Sequence, residues 1–485
     1  MKTSLLKKIR TLFAIKSCTK SIHDYVHAMI GESRHSPYYE ENKRLILEKI
    51  LSLIDLLEEL LHPDSPAPEL LDYEDLSPEE VDLSLSELLV MFRQTIQKLQ
   101  KTPLEVQEDA LDILYSYFIE QQGLYDLIFV THESRLSTQQ LSLTAISDYQ
   151  KRYLQLDEVI ENDPLIQEYR TIPYKFLMKM SVGHHLHVIL FDLLPRFVGT
   201  KLKECFRRTP ACRRTLDPTA IGSVDELRQI LKKHPLTESS KVYVAIHRHF
   251  MRVADIIFAR IALKCGHPLF ELLILAIWIQ TVKDHIVPQK HRTEWQVEHL
   301  DADGEDPEKN AGAERIKMSS AFFMQPRITF RLQRFLIFKI RTMTVGDVVR
   351  ATELGNWMRK NSPDEFLQFF NVALGDMGGL GIRTMPEHEI LADQDTQWLT
   401  GALMSFIPGG MTSPGSISMR KTNYGLTKSQ QLQQEILFYD PRFKGSTGFI
   451  ADLRIMLGSL GVMNKGRIGK ALEATESFKG RDRGV

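Results

Sequence analysis

Three times in this chain a Ser or Thr is followed directly by proline and, three residues on, by Glu: Ser77-Pro78-Glu79-Glu80, Thr102-Pro103-Leu104-Glu105 and Ser362-Pro363-Asp364-Glu365. In such a device the hydroxyl accepts from an orphan backbone N–H and the proline sits where no N–H is needed. The Glu reaches back to the cap residue, so each copy predicts a helix start. Ser223 with Glu226 gives a fourth start without proline. Behind the first device Leu85, Leu88, Leu89, Phe92, Ile96 and Leu99 recur at helical spacing, and strand signals are sparse. These features predict a mainly α fold: a multi-lobed helical protein with a glycine-rich, loop-containing C-terminal third.

At 485 residues the chain is too long for one typical core, so more than one lobe is expected. The boundaries read from composition are a basic amphipathic helix over 1–23, an acidic helical lobe over 24–170, a basic, histidine-rich helical lobe over 171–345, and a glycine-rich lobe over 346–485. Of the 27 glycines only eight precede residue 346, which assigns shorter helices and longer loops to the last third. The helix begun at Thr102 is expected to stop near Gln121, at Gly123. Residues 62–76 form an acidic linker, and residues 301–312 a charged loop. The longest unbroken apolar run, Leu272–Ile279, reads as a buried helix segment because it is far shorter than a bilayer span. Four cysteines (Cys18, Cys205, Cys212, Cys265) argue against a disulfide scaffold, so an intracellular, cytoplasmic setting is expected. The first 23 residues hold six Lys or Arg and no acid. That composition leaves open organelle targeting, or contact of residues 1–20 with an anionic membrane surface.

Charge is steeply partitioned. Residues 40–168 carry 28 Asp and Glu against nine Lys and Arg, a balance of −19, while the whole chain is −1, so the remainder carries +18. Between Arg315 and Gly346 there are seven Lys or Arg, five Phe and no acid. Read as a helix, Arg327, Arg331, Arg334 and Arg341 share one stripe at spacings of four, three and seven, with Phe330, Phe338 and Lys339 at its edges. Guanidinium forks and aromatic faces in that order suit an extended polyanion, with RNA ahead of anionic lipid. A second basic cluster, Arg207, Arg208, Arg213 and Arg214 with Arg196, Lys201 and Lys203, faces one acid, Glu204. The competing reading is that the acidic lobe docks on the basic one and cancels the imbalance internally.

Chemistry-bearing residues are scattered. Ten of the sixteen histidines lie between 184 and 299. His184 and His187, three apart, are the first candidates for a metal or haem ligand, although no HExxH spacing supports one. In His247-Arg248-His249 the two rings are expected to point apart. His291, Glu294, Glu298 and His299 form a candidate acid–base cluster whose ordinary reading is a solvated face. Asp301–Asp306 fails the calcium-loop pattern because its glycine is misplaced. Cys205 and Cys212 stand beside arginines that favour thiolate, without a base in view. Gly375–Gly381 reads as a helix end and turn rather than a phosphate loop, and Pro408–Gly415 as a loop able to close over a ligand. Taken together, the residues point first to a non-enzymatic binding protein for RNA. An enzyme with a histidine-lined pocket comes second, and a membrane-peripheral adaptor third; self-association stays open.

Overall fold

The structure is a computed structural model, and it describes residues 2–30, 36–61, 83–129, 162–173, 177–178, 180–206, 221, 223–286, 321–343, 351–361, 363–390, 394–413, 428–443 and 452. It is mostly helical, with the few strands gathered after residue 320. The helices before that point are α1 (Lys2–Ile30), α2 (Pro37–Leu61), α3 (Leu85–Leu99), α4 (Leu104–Phe129), α5 (Pro164–Arg170), α6 (Val182–His187), α7 (Leu194–Phe206), α8 (Val224–Lys233) and α9 (Glu238–Ile286). A π-helical turn, Val188–Leu193, joins α6 to α7 without a break. Then come β1 (Phe322–Ile328), β2 (Arg334–Ile340), α10 (Glu353–Asn361), α11 (Gln368–Leu374), β3 (Gly378–Leu380) and β4 (Ile382–Arg383). The last elements are α12 (Glu387–Ile390), α13 (Gln394–Phe406), β5 (Gly409–Thr412) and α14 (Lys428–Tyr439).

The chain divides into two compact units. Unit 1 comprises residues 1–131, 264–323 and 339–367, and unit 2 comprises residues 132–263, 324–338 and 368–485. In unit 1, α1 lies along α2, burying Ile15, Ile22 and Val26 against Ile46, Ile50 and Leu53. Trp278 is fully buried, its indole N–H donating to the carbonyl of Ala110 at 2.6 Å. Phe270 lies among the rings of Tyr125, Phe322 and Phe366. In unit 2 the core collects Ile166, Tyr169, Leu227 and Leu231 with Trp398, Leu403, Phe406, Ile436 and Phe443. Trp398 donates to Asp163 at 3.0 Å, and the Arg228 guanidinium covers its ring.

Helix starts behave as the side chains dictate. Ser223 caps α8, accepting from the N–H of Glu226 at 3.2 Å. The leucine stripe of α3 is buried as its spacing predicts. That helix, however, starts at Leu85 under a full capping box made by Ser84 and Glu87, and Ser77 lies outside the described residues. Nor does α4 stop at Gly123. It runs on to Phe129, because nothing near Gly123 supplies the left-handed turn that would end it. The third device gives a 3₁₀ turn, Pro363–Leu367, leading into α11.

The largest correction concerns residues 322–340. They form not a helix but a two-stranded sheet of β1 and β2, closed by a short 3₁₀ turn at Phe330–Leu332 in which Arg331 and Leu332 have φ of 52° and 60°. Aromatic and β-branched residues favour the pleated surface, and Ile328 of β1 with Phe335, Ile337 and Ile340 of β2 are its buried positions. Pro408–Gly415 is also not simply a loop. Gly409–Thr412 is the middle strand of a three-stranded parallel sheet ordered β3-β5-β4. The glycines are there for close approach: a Cβ on Gly381 would lie 2.1 Å from the Pro408 carbonyl oxygen, and one on Gly410 would lie 2.2 Å from the Gly381 nitrogen. Before the sheet, Gly375 at φ +86° ends α11 as the sequence suggests, but the rest of the segment read as a turn is not one: Gly378–Leu380 is strand β3.

Candidate functional site

Three polar constellations stand out, each within one unit. In unit 2, Arg327 of β1, Arg383 of β4 and Lys428 at the start of α14 gather positive charge. Arg327 donates to the carbonyl of Thr384 at 3.4 Å and to the Gln325 amide oxygen at 2.5 Å, while its Nε is buried without a partner. Burial, then the nearby Arg383, pulls the Arg327 guanidinium down to about 10. Burial and repulsion from Arg383 and Arg327 likewise lower Lys428, which pairs with Glu389. Guanidinium forks match phosphate oxygens, which is the chemistry that Arg327 and Arg383 could offer an anion, while Lys428 already has a carboxylate partner.

The second constellation is a buried ionic cluster on the inner side of α9. His247 meets the Asp452 carboxylate at 2.9 Å, and Arg248 lies 3.9 Å from the same oxygen. One turn on, Arg252 donates to the carbonyls of Val372 at 2.7 Å and Met377 at 3.2 Å. Asp255 is held up at about 7 by burial, against the pull of Arg252, the Gly379 N–H and Arg248. Close by, Glu435 accepts from the Ser413 hydroxyl at 2.6 Å and is pushed to about 7 by burial. Next to this cluster, the Nδ1 atoms of His185 and His249 face each other at 2.8 Å, so one ring donates and the other accepts. Burial brings these rings down to about 3 and about 4, and they stay neutral at physiological pH.

These carboxyls set a pH dependence. Glu435 titrates higher folded than unfolded, so its protonated form carries stability that is complete below about pH 4 and lost as pH rises through about 7. Glu435→Gln keeps an oxygen for Ser413 and removes the charge. The variant is expected to match wild type at pH 5 and to exceed it at pH 8 by roughly 1–3 kcal/mol in urea unfolding. An equal difference at both pH values would refute this account.

The third constellation lies in unit 1, on the 3₁₀ turn before α11. Asp364 and Glu365 are consecutive carboxylates, both half-buried. Burial and then Glu365 raise Asp364 above the usual carboxylate range, while Lys339 and Arg359 pull it back. Arg359 is itself positioned by donating to the Thr342 hydroxyl at 3.1 Å. A carboxyl that holds its proton more firmly beside a second carboxylate and two cations is equipped for acid–base or nucleophilic work.

The residues singled out by sequence are dispersed. Arg327 belongs to the cationic cluster and Lys339 to the carboxylate site. Arg341 points instead to Tyr117 at 3.0 Å and Thr281 at 2.5 Å in unit 1. Arg331 is exposed and lies over the buried Phe330 ring, while Arg334 and Phe338 are half-buried and the Phe338 N–H donates to Asn371. No single arginine stripe exists, because a strand sends successive side chains to opposite faces and the turn reverses the chain. Arg207, Arg208, Arg213, Arg214, Cys212 and the cluster from His291 to His299 lie outside the described residues. His184 hydrogen-bonds Ser181, and His187 packs on Phe191. Among the described residues no group of three or more His, Cys, Asp or Glu could hold a metal ion. His247 and His249 do point apart, one to Asp452 and one to His185. Sequence reading missed Arg248, Arg252 and Asp255, whose spacing of four and three inside an apolar helix was the available signal.

With this geometry in view, residues 312–466 match the family model of the bacterial sugar transferases. The chain has no significant match among curated proteins. The family match overturns the expectation of a non-enzymatic RNA-binding protein, because the basic stretch that suggested it falls largely inside the matched segment. The polyanion partners inferred from charge, RNA first and anionic lipid through residues 1–20 second, fall with it. Among the described residues, the basic side chains of 327–341 belong to a hairpin and to separate sites, so charge density alone misled.

Proposed function

We propose that this protein is a sugar transferase whose activity resides in residues 312–466, moving a sugar unit from a phosphate-activated donor. The observation that carries this reading is the family match over that segment. The geometry supplies matching chemistry from within it. Arg327, Arg383 and Lys428 provide an anion-binding station for the phosphate of a donor, whose charge would relieve their mutual repulsion. Asp364 and Glu365, set against Lys339 and Arg359, provide carboxyl groups for proton or group transfer.

The test is direct. Full-length protein is incubated with radiolabelled UDP- and GDP-sugars, with water, a sugar or a polyprenyl phosphate as acceptor, and labelled product is separated from donor. Donor-dependent product is expected, and no turnover of any donor would overturn the reading. Arg383→Ala removes an exposed side chain from the cationic station. It is expected to raise the donor KM by about tenfold or more, equivalent to the loss of one charge-assisted contact. An unchanged KM would exclude this station from donor binding.

A further inference from the structure

His23 and His27 are four apart on α1, and their Nε2 atoms lie 3.2 Å from each other. Four-residue spacing sets two side chains one above the other on a helix face, the arrangement through which paired histidines chelate a metal from a single helix. The buried seam of α1 runs through Ile15, Ile22, Val26 and Met29. The two imidazoles border that seam, His23 half-buried and His27 exposed, so solvent reaches them. Rings of α4 fix their orientation: His23 meets Phe118 edge-on at 5.1 Å, and His27 meets Tyr115 edge-on at 6.1 Å. With their centres only 4.3 Å apart, the imidazoles stand side by side with the Nε2 corners brought together.

That separation suits a metal ion. Imidazole nitrogens sit about 2.0–2.1 Å from a divalent transition ion, so two on one ion are roughly 2.9–3.4 Å apart for angles between square and tetrahedral. The observed 3.2 Å falls inside this range. A hydrogen bond between the rings needs one Nε2 to keep a proton, and a metal ion replaces that proton and is shared by both. Burial, and then His27, holds His23 below the ordinary histidine range, so its ring is neutral at physiological pH. Asp24, on the same turn, is exposed, and its charge favours a cation. Among the described residues no third His, Cys, Asp or Glu joins the pair.

We propose that His23 and His27 form a binding site for a borderline divalent transition-metal ion, Zn2+ or its neighbours Ni2+ and Cu2+, with water in the remaining positions. Neutral nitrogen donors select these ions over Mg2+ and Ca2+, which take oxygen ligands. The ion closes one turn of α1 and stiffens that turn against α4. The site lies outside residues 312–466 and uses no group assigned to sugar transfer, so metal binding and sugar transfer can fail separately.

The probe is Zn2+ titrated calorimetrically into the untagged full-length chain after stripping with a chelator, with Mg2+ as the control. One Zn2+ per chain is expected at a site that Mg2+ does not fill. His23→Ala and His27→Ala should each weaken that binding by tenfold or more, since even the loss of a group that only supports a ligand costs about 10–100-fold. The decisive variant is His27→Ala/Ala28→His. It keeps the number of histidines and changes only exposed positions, but it moves the second ring to five residues from His23, off the shared face. It should bind as weakly as His27→Ala. Wild type that takes up no Zn2+ overturns the proposal, and so does a swapped variant that binds like wild type, which would make the uptake adventitious. Paramagnetic resonance of the Cu2+-loaded wild type needs no variant to fold. Splitting from two imidazole nitrogens is expected, and a spectrum without it overturns the chelate.

Discussion

Asp364→Asn and Glu365→Gln are each expected to cut sugar transfer by about 10²–10⁴-fold, the range that a positioned acid, base or nucleophile contributes. Both replacements are nearly isosteric and sit on a half-buried turn, so folding should be spared. The two should also differ. Asp364 is raised by burial and by its neighbour. Removing the Glu365 charge should therefore lower the pKa of Asp364 and move the limb of the pH–rate profile that it governs to lower pH. Asp364→Asn, by contrast, should erase that limb. The measurement is initial rate against pH for each variant, alongside thermal unfolding. Full activity in both variants would remove these carboxyls from the reaction.

The helical character was legible because two local rules agreed. Cap chemistry placed the start of α8, and 3.6-residue periodicity found the buried stripe of α3. The same periodicity misread β1 and β2, since Arg327, Arg331, Arg334 and Arg341 fall at helical intervals by coincidence. Their neighbours, alternating Phe335 and Ile337 with half-buried residues, carried the strand signal. Strand β5 was hidden for another reason. Gly409 and Gly410 are poor strand formers, and only tertiary crowding against Gly381 and Thr384 explains them. Lys428, Arg383 and Arg327 are separated by tens of residues, and no spacing rule brings them together. Asp364 and Glu365 were noted only as a helix start, which they also are. A capping motif and a reactive pair can be the same residues, and sequence does not say which demand placed them there.

The largest loss of stability is expected from Arg252→Leu, at about 3–5 kcal/mol, the usual cost of breaking a buried charged network from one side. Arg252 is 2 % exposed, and its guanidinium ties the carbonyls of Val372 and Met377 to α9. Leucine fills most of the volume but leaves both carbonyls without this donor, and it takes the nearest positive charge from Asp255. Without that charge Asp255 should titrate still higher in the folded state. Stability that depends on its proton is present at low pH and lost as pH rises through the folded pKa. The deficit of Arg252→Leu relative to wild type should therefore be larger at pH 8 than at pH 5, read by urea unfolding. Adding Asp255→Asn should recover part of the loss at pH 8 and little at pH 5. A deficit that ignores pH would show that Arg252 acts through its carbonyl contacts alone, with no electrostatic hold on Asp255.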